Sequence, residues 1–241
     1  MVDIHSHVLP KTDDGAATFF ESLDMLRIAR AKGTKKLVCT PHFYNPRTGF
    51  FDKERTLKTF EGLKARCAGI DIELMLGCEV FCSDLFLREI PQKNFFTITA
   101  TNYLLVEFEF NDDADRVAFA IDIITEAGYI PVIAHPERYT FLWRDEYYVQ
   151  KYLSKGALLQ LNTSSLAGFH GEHAFDFATR MLEEKYAAVV ASDAHDTTYR
   201  STDLRAAYMW VYGNFSKSYA EELFFDNPEA IISGQKIITR W

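Results

Sequence analysis

Short apolar runs recur along the chain at a near-constant interval. Val2–Ile4, Lys36–Cys39, Ile72–Leu76, Tyr103–Val106, Ile130–Ala134, Ala157–Leu161 and Ala187–Ala191 are rich in β-branched or aliphatic residues, and their ends fall 27 to 37 residues apart. Runs this short read as buried strands, and the interval has room for one helix and two loops. Helical signals fill the gaps. Thr18-Phe19-Phe20-Glu21 is a capping box, followed by Leu23, Leu26 and Ala29 on one face and a stop at Gly33. A second helix is expected from Asp112 to Ala127, closed by Gly128, and a third from His173 to Lys185. Asn227-Pro228 reads as an N-cap with proline at the first helical position. Seven strand–helix repeats imply a parallel sheet, either doubly wound or closed into a barrel. No Gly/Ser run, charge block or low-complexity stretch divides residues 1–241, which read as a single domain.

Composition adds exclusions. The 241 residues are 48% apolar and 25% charged, enough to bury a core without disulfides. Lys+Arg minus Asp+Glu is 26 − 34 = −8, which argues against nucleic acid and anionic membrane surfaces as partners. It also argues against a phosphorylated substrate, unless some of the carboxylates hold metal ions. The opening MVDIHSH has neither the basic nor the apolar region of a signal peptide. Apolar stretches of about five residues fall far short of the roughly 20 that span a bilayer. Four scattered cysteines do not make a disulfide framework. A cytoplasmic protein without membrane insertion is expected.

Two cysteine patterns fail on inspection. Cys78 and Cys82 form C-x3-C with no second pair nearby, and packed thiols are the simpler reading. Cys82 to Arg88 matches the C-x5-R spacing of cysteine phosphatases. The intervening Ser83, Asp84, Leu85, Phe86 and Leu87 lack the glycines of a phosphate-cradling loop and read as an amphipathic helix.

The chemistry lies where the runs end. His5 and His7 follow the first run, Thr40-Pro41-His42 the second, and Glu79 comes three residues after the third. Glu107 and His135 directly follow the fourth and fifth, and Asp193 and His195 come just after the seventh. Six of seven strand ends therefore carry His, Asp or Glu, at the end that forms the ligand face of α/β barrels and open sheets. His5/His7 and Asp193/His195 are spaced i, i+2, which places each pair on one face of an extended chain. Closure of the sheet would make the first and last strands neighbours and bring the pairs together. Asp14, in Thr12-Asp13-Asp14-Gly15, lies on the same face, with Asp13 as the alternative. Any one of these is an ordinary loop residue; together they suit a metal centre. Imidazole and carboxylate without thiolate favour Mn, Fe or Zn. Nine candidates exceed one ion's needs and suggest two or three, with Glu79 as the bridging carboxylate.

Phe43, Tyr44, Phe50, Phe51, Tyr139 and Trp143 follow the second and fifth runs on this side and are candidates to wall a phenyl ring, with outer packing as the alternative. His170 and His173 enter the sixth helix on the same face, where an exposed polar helix start is the plainer reading.

The ordered set D-I-H-S-H, D-D-G-A, T-P-H, I-A-H-P-E-R and S-D-A-H resembles the PHP (polymerase and histidinol phosphatase) superfamily. More closely, it resembles the bacterial metal-dependent tyrosine-protein phosphatases of capsule and exopolysaccharide gene clusters. The likeness extends over essentially the whole chain, including Phe224-Phe225-Asp226-Asn227-Pro228. It implies an α/β fold, a distorted TIM-like (β/α)7 barrel of the PHP type. It implies up to three divalent ions, manganese favoured, held by His5, His7, Asp14, His42, Glu79, Glu107, His135, Asp193 and His195, with Arg138 and Arg200 binding phosphate. The implied reaction is hydrolysis of phosphotyrosine on a protein, such as a bacterial tyrosine kinase regulating polysaccharide synthesis. Metal-held hydroxide would attack phosphorus in line, with the arginines neutralising the equatorial oxygens and Asp193, His195 or water serving the leaving group. A small-molecule phosphatase of the histidinol-phosphate type is the alternative, and a non-catalytic metal-binding module a third reading. Homo-oligomers occur in such families, but no surface is assignable to one.

Overall fold

The computed structural model of the protein describes residues 1–48, 51–143 and 145–237. Among these residues, nine short strands are all parallel to their neighbours: β1 (Val2–Asp3), β2 (Lys36–Cys39), β3 (His42–Phe43), β4 (Glu73–Leu76), β5 (Glu79–Phe81), β6 (Tyr103–Glu107), β7 (Ile130–Ala134), β8 (Leu158–Asn162) and β9 (Ala187–Ala191). They occupy seven positions around a barrel, because the second and third expected strands each break and resume as β3 and β5. The ladders form two sheets, β1-β2-β4 and β3-β5-β6-β7-β8-β9. The barrel is thus distorted rather than a continuous ring of hydrogen bonds.

Both breaks have local causes. Pro41 has no N–H to give the ladder after Cys39. At Gly77 a Cβ would lie 3.3 Å from Val38 and 3.4 Å from the Ile98 backbone, so only glycine passes there without displacing neighbours. Hydrogen bonds from Gly77 N to Cys39 O and from Glu79 N to Pro41 O carry the chain across, at 2.9 and 3.1 Å. His42 and Glu79 therefore begin new strand segments instead of trailing the old ones, and they face each other in register.

The segments just past the first and last strands meet, without a closing ladder. Ser6 and Ala194 form a single parallel bridge. His7 N donates to Ala194 O at 2.8 Å and Asp193 N to His5 O at 2.9 Å. Beneath them the buried Asp3 Oδ1 accepts from Ser192 N at 3.1 Å.

The helices fall close to their sequence positions. Phe19–Ala31 is capped by the Thr18 side chain, which accepts from Glu21 N; the Glu21 carboxylate reaches back to Ala17 N, one residue short of an ideal box. Ala114–Glu126 is capped by Asp113, and Glu172–Glu183 follows Gly171. Asn227 departs from expectation. The helix Asn227–Ile232 continues a wide turn at Glu222–Asp226, and no side chain caps it. The Asn227 amide instead donates to Ala188 O at 2.7 Å, fastening the last helix to β9. Among the described residues no helix is long and apolar enough to cross a membrane.

Asp3 supplies a test of the seam. Burial pushes its carboxyl up from 3.8 to about 6, against hydrogen bonds from Ser192 and His5 that favour the charged form. A carboxyl raised on folding contributes stability below its unfolded value that is lost as pH rises through the folded one. That difference amounts to about 3 kcal/mol. The stability of the wild type relative to Asp3→Asn, measured by denaturant titration in chelator, should therefore fall by roughly this amount between pH 4 and pH 7. A pH-independent difference would mean that the seam carboxyl is not so perturbed.

Candidate metal centre

The carboxyl ends of the strands converge on one buried cluster. Glu79, the first residue of β5, is its hub. Its Oε2 lies 3.3 Å from both His5 Nε2 and His7 Nε2 and 3.0 Å from His42 Nδ1, while Oε1 lies 3.0 Å from His135 Nε2. Asp193 Oδ1 lies 3.4 to 3.5 Å from His5 Nε2, His7 Nε2 and His195 Nδ1. Asp14 Oδ1 is 3.4 Å from both His42 Nε2 and His195 Nε2. Glu107 Oε1 is 3.2 Å from His42 Nδ1, and its Oε2 is 4.0 Å from His135 Nε2. All nine residues singled out in the sequence are thus brought together.

Three overlapping groups have metal-binding geometry: His5, His7 and Asp193; His42, Glu79 and Glu107; and His7, Asp14, His42 and His195. Metal–ligand bonds of about 2.1 Å place ligand atoms about 3.0 to 3.5 Å apart, the spacing seen here. Proton accounting supports the fit. His5 Nδ1–H donates to Gln160 Oε1 at 2.7 Å and His7 Nδ1–H to Asp13 Oδ2 at 2.7 Å. Both rings then turn Nε2 lone pairs toward one another, 3.2 Å apart. Two lone pairs and the buried Glu79 Oε2, which accepts no hydrogen bond, call for a shared cation. Without one, protons take its place. Burial opposes charge on His7 and His42, but Asp13 and Glu79 respectively override it and hold both well above the ordinary imidazole range.

Asp13 and Asp14 divide the work. Asp13 is buried and accepts from His7, from His42 N and from Gly15 N, so it orients the ring rather than entering the cluster. Asp14 faces His42 and His195. Gly15 permits this loop, since a Cβ there would fall 2.1 Å from His7 O. His135 and Asp193 are both left-handed, at φ 37° and 49°, a conformation costing non-glycine residues about 1–3 kcal/mol.

Sequence reasoning missed the polar layer behind the ligands. β8 ends in amides rather than ionisable groups, and both point inward. Gln160 Nε2 donates to Asn162 Oδ1 at 2.8 Å, and Asn162 Nδ2 to Asp193 Oδ2 at 2.6 Å. Asn45 Nδ2 donates to Glu107 Oε1 at 2.7 Å. The i, i+2 spacing of Gln160 and Asn162 within an otherwise apolar strand was the available signal.

Arg200 Nη2 donates to Asp193 Oδ2 at 2.7 Å, and its buried Nε has no partner. Arg138 lies over the Phe110 ring at 4.5 Å, with Nη1 3.6 Å from the same Asp193 oxygen. His170, half-buried and bonded to Ser164 Oγ at 2.9 Å, is pushed down to about 4 by burial and by the positive charges of Arg138 and Arg200. His173 is exposed and packs against Trp143 instead.

The aromatic candidates divide. Phe43 and Tyr139 are buried in the core, the latter's hydroxyl accepting from Phe108 N. Trp143 Nε1 donates to Glu137 O. Tyr44 and Phe51 line an open groove of about 500 Å³ beside Asn45. Phe50 lies outside the described residues. A cavity of about 680 Å³ is lined by Tyr103, Ile130, Leu158 and Tyr186 at the strands' amino ends, away from this chemistry. All four cysteines are free and buried, and burial raises the Cys82 thiol far above its normal range.

Residues 1–233 match the family profile described as capsular polysaccharide synthesis, CpsB/CapC. The chain belongs to this family. Tyrosine-protein phosphatase YwqE of Bacillus subtilis (strain 168) is 31% identical over 98% of this chain and 93% of that protein. Tyrosine-protein phosphatase CpsB of Streptococcus pneumoniae is 30% identical over 98% of this chain and 100% of that one. A crystal structure from work on YwqE of B. subtilis and CpsB of S. pneumoniae, described as unique metal-dependent tyrosine phosphatases, matches with a TM-score of 0.92. Identity to it is 28%, over 100% of this chain and 97% of that one. The lactonase Lmo2620 from Listeria monocytogenes, at TM-score 0.63 and 12% identity, shares the fold alone. CpsB/CapC membership accords with the metal-type cluster and with the absence of any accessible thiol among the described cysteines.

The amide layer generates a prediction. Gln160→Leu removes the acceptor for His5 Nδ1–H and frees the ring to turn or change tautomer. Metal affinity should drop about 10- to 100-fold, read by titration of the metal-free chain. Unchanged affinity would mean that Gln160 does not orient His5.

Proposed function

We propose that residues 1–241 act as one metal-dependent phosphatase domain, hydrolysing phosphotyrosine on a protein. The observation that carries this reading is the pair Arg138 and Arg200 beside the carboxylate–imidazole cluster, with the Arg200 Nε donor buried and unused. An anion site next to a cation site is what a phosphoryl group requires. The relatives named tyrosine-protein phosphatases supply the substrate class.

His5, His7, Asp14, His42, Glu79, Glu107, His135, Asp193 and His195 would hold two or three divalent ions. The nitrogen and oxygen donors suit Mn, Fe or Zn, and the family resemblance makes manganese the first choice. Such ions supply Lewis acidity toward phosphoryl oxygens and acidify water for attack at neutral pH. The chain's own groups do the rest. Arg138 packs its guanidinium 4.5 Å from the Phe110 ring and would give its remaining donors to the phosphate. Arg200 offers Nε while Nη2 stays on Asp193. Asp193 remains ionised: burial works against its charge, but His5 and Arg200 hold its pKa well below the usual range. His195 is kept neutral by burial and by His7, and its Nδ1–H is committed to the Asp193 carbonyl at 3.0 Å. Neither holds a spare proton, so the tyrosinate departs as an anion or takes its proton from water. A phenol of pKa about 10 is a good enough leaving group for this. The substrate we propose is a tyrosine kinase of polysaccharide synthesis, met in the cytoplasm, where the four buried free thiols stay reduced.

Manganese-loaded protein should turn over a phosphotyrosyl peptide far faster than histidinol phosphate. The activity should vanish in chelator and survive thiol alkylation. Preference for histidinol phosphate would replace this reading with the small-molecule one, and no hydrolysis of p-nitrophenyl phosphate after reconstitution would leave a binding module. Substitutions separate the roles. His42→Ala or Glu107→Ala should lower metal content and rate together. Arg138→Ala should spare metal content while lowering kcat/KM about 10²- to 10³-fold; metal loss in that variant would assign the arginine to the wrong task.

A further inference from the structure

Two hydrogen-bonded loops rim the arginine side of the centre, and each carries an exposed aromatic ring. After the short helix Thr163–Leu166 the chain folds back: Ala167, Gly168 and Phe169 N donate to the carbonyls of Thr163, Ser165 and Ser164, each at 3.0 Å. Ser165 Oγ anchors this turn on the buried Glu137 at 2.6 Å. The second loop closes on Asp196, whose Oδ1 accepts from Thr198 N and Oγ1, while His195 N and Asp196 N both donate to Arg200 O. Phe169 is 59% exposed and Tyr199 74% exposed, with their rings edge to face at 6.4 Å.

The exposure is imposed rather than incidental, because both loops are tied down by their own hydrogen bonds. Between them runs a groove of about 370 Å³, bordered by Ser164 and Ser201 and lined by Leu166, Ala207 and Trp210. Among the described residues that line it, Asp203 alone carries a charge at neutral pH, and it is paired with Lys32 at 2.7 Å. Each ring also adjoins the phosphate side of the site in sequence: Tyr199 precedes Arg200, and Phe169 precedes His170. Tyr199 and Ser201, on either side of Arg200, both line the groove, so it opens on the loop that carries the guanidinium.

We propose that this groove receives the polypeptide beside the phosphotyrosine, taking an apolar or aromatic side chain within a few residues of it against the Phe169–Tyr199 ring pair. The proposal rests on the phosphotyrosine reading above. The groove is continuous with the loop that bears Arg200, and the charge pattern matches: guanidinium for phosphate at one end, uncharged walls for an apolar neighbour at the other. A rigid aromatic pair supplies contact area at little entropic cost.

The test compares manganese-loaded wild type with the Phe169→Ala/Tyr199→Ala double variant. Substrates are phosphotyrosyl peptides carrying Leu, Phe, Ala or Asp at positions near the phosphotyrosine, with free phosphotyrosine and p-nitrophenyl phosphate in parallel. Wild type should favour Leu or Phe peptides about tenfold in kcat/KM, through KM. The variant should lose that preference while keeping full activity on p-nitrophenyl phosphate. Equal rates on all peptides in wild type would overturn the groove but not the phosphatase, whereas absence of turnover on every phosphotyrosyl substrate would overturn both. Equal losses on peptide and p-nitrophenyl phosphate would also overturn it, showing a disturbed Arg200 loop. A changed sedimentation coefficient in the variant would instead assign the groove to a second copy of the chain.

Discussion

Four carboxylates, Asp14, Glu79, Glu107 and Asp193, stand among five imidazoles at one end of the barrel, and the structure is organised around that excess of electron pairs. Asp14 alone among them is substantially exposed. Buried carboxylates repel one another and lose their hydration, and the two guanidiniums nearby reach only Asp193. Protons on the histidines offset part of this in the metal-free chain. Divalent cations offset far more, because each replaces several protons and lies between lone pairs that otherwise face each other. Folding and metal loading are therefore coupled through the same side chains.

The barrel's distortion serves that cluster. A strand that ran uninterrupted from Lys36 past Pro41 would keep His42 in the register of β2. The breaks at Pro41 and Gly77 re-aim the chain so that His42 and Glu79 pair across β3 and β5, directly under Asp14 and beside Glu107. The neighbouring seam works likewise, where the Ser6–Ala194 bridge places the His5/His7 pair against Asp193 and His195.

Much of this is legible in the sequence, for a physical reason. Buried parallel strands must be apolar, so they appear as runs; ligands must sit where runs end, so His and carboxylates at those ends stand out. Pro41 is visible too, but whether a proline ends a strand or only interrupts it depends on what pairs beyond it, which periodicity does not record. Asn227 misled for a similar reason. Asn-Pro is a local helix-start signal, yet the amide found a stronger partner in the Ala188 carbonyl once the last helix docked on β9. Gln160, Asn162 and Asn45 gave only a faint signal because amides do not titrate, and their role here runs through the groups they hold.

Asp193 shows what that amide layer adds. One of its oxygens faces the imidazoles; the other accepts from Asn162 and Arg200 at once. Asn162 is itself tied through Gln160 to His5. A single hydrogen-bonded path thus runs from a metal-facing ring to the guanidinium proposed to grip phosphate. The two arginines are consequently not equivalent. Arg200 is anchored by the path and lends only part of its fork, so its position depends on the state of the centre. Arg138 packs on the Phe110 ring and touches the path only at Asp193, 3.6 Å away. On the proposed reading, phosphate would lie between a donor hydrogen-bonded to the metal-facing carboxylate and one held mainly by an aromatic ring, so its binding would depend on an assembled centre.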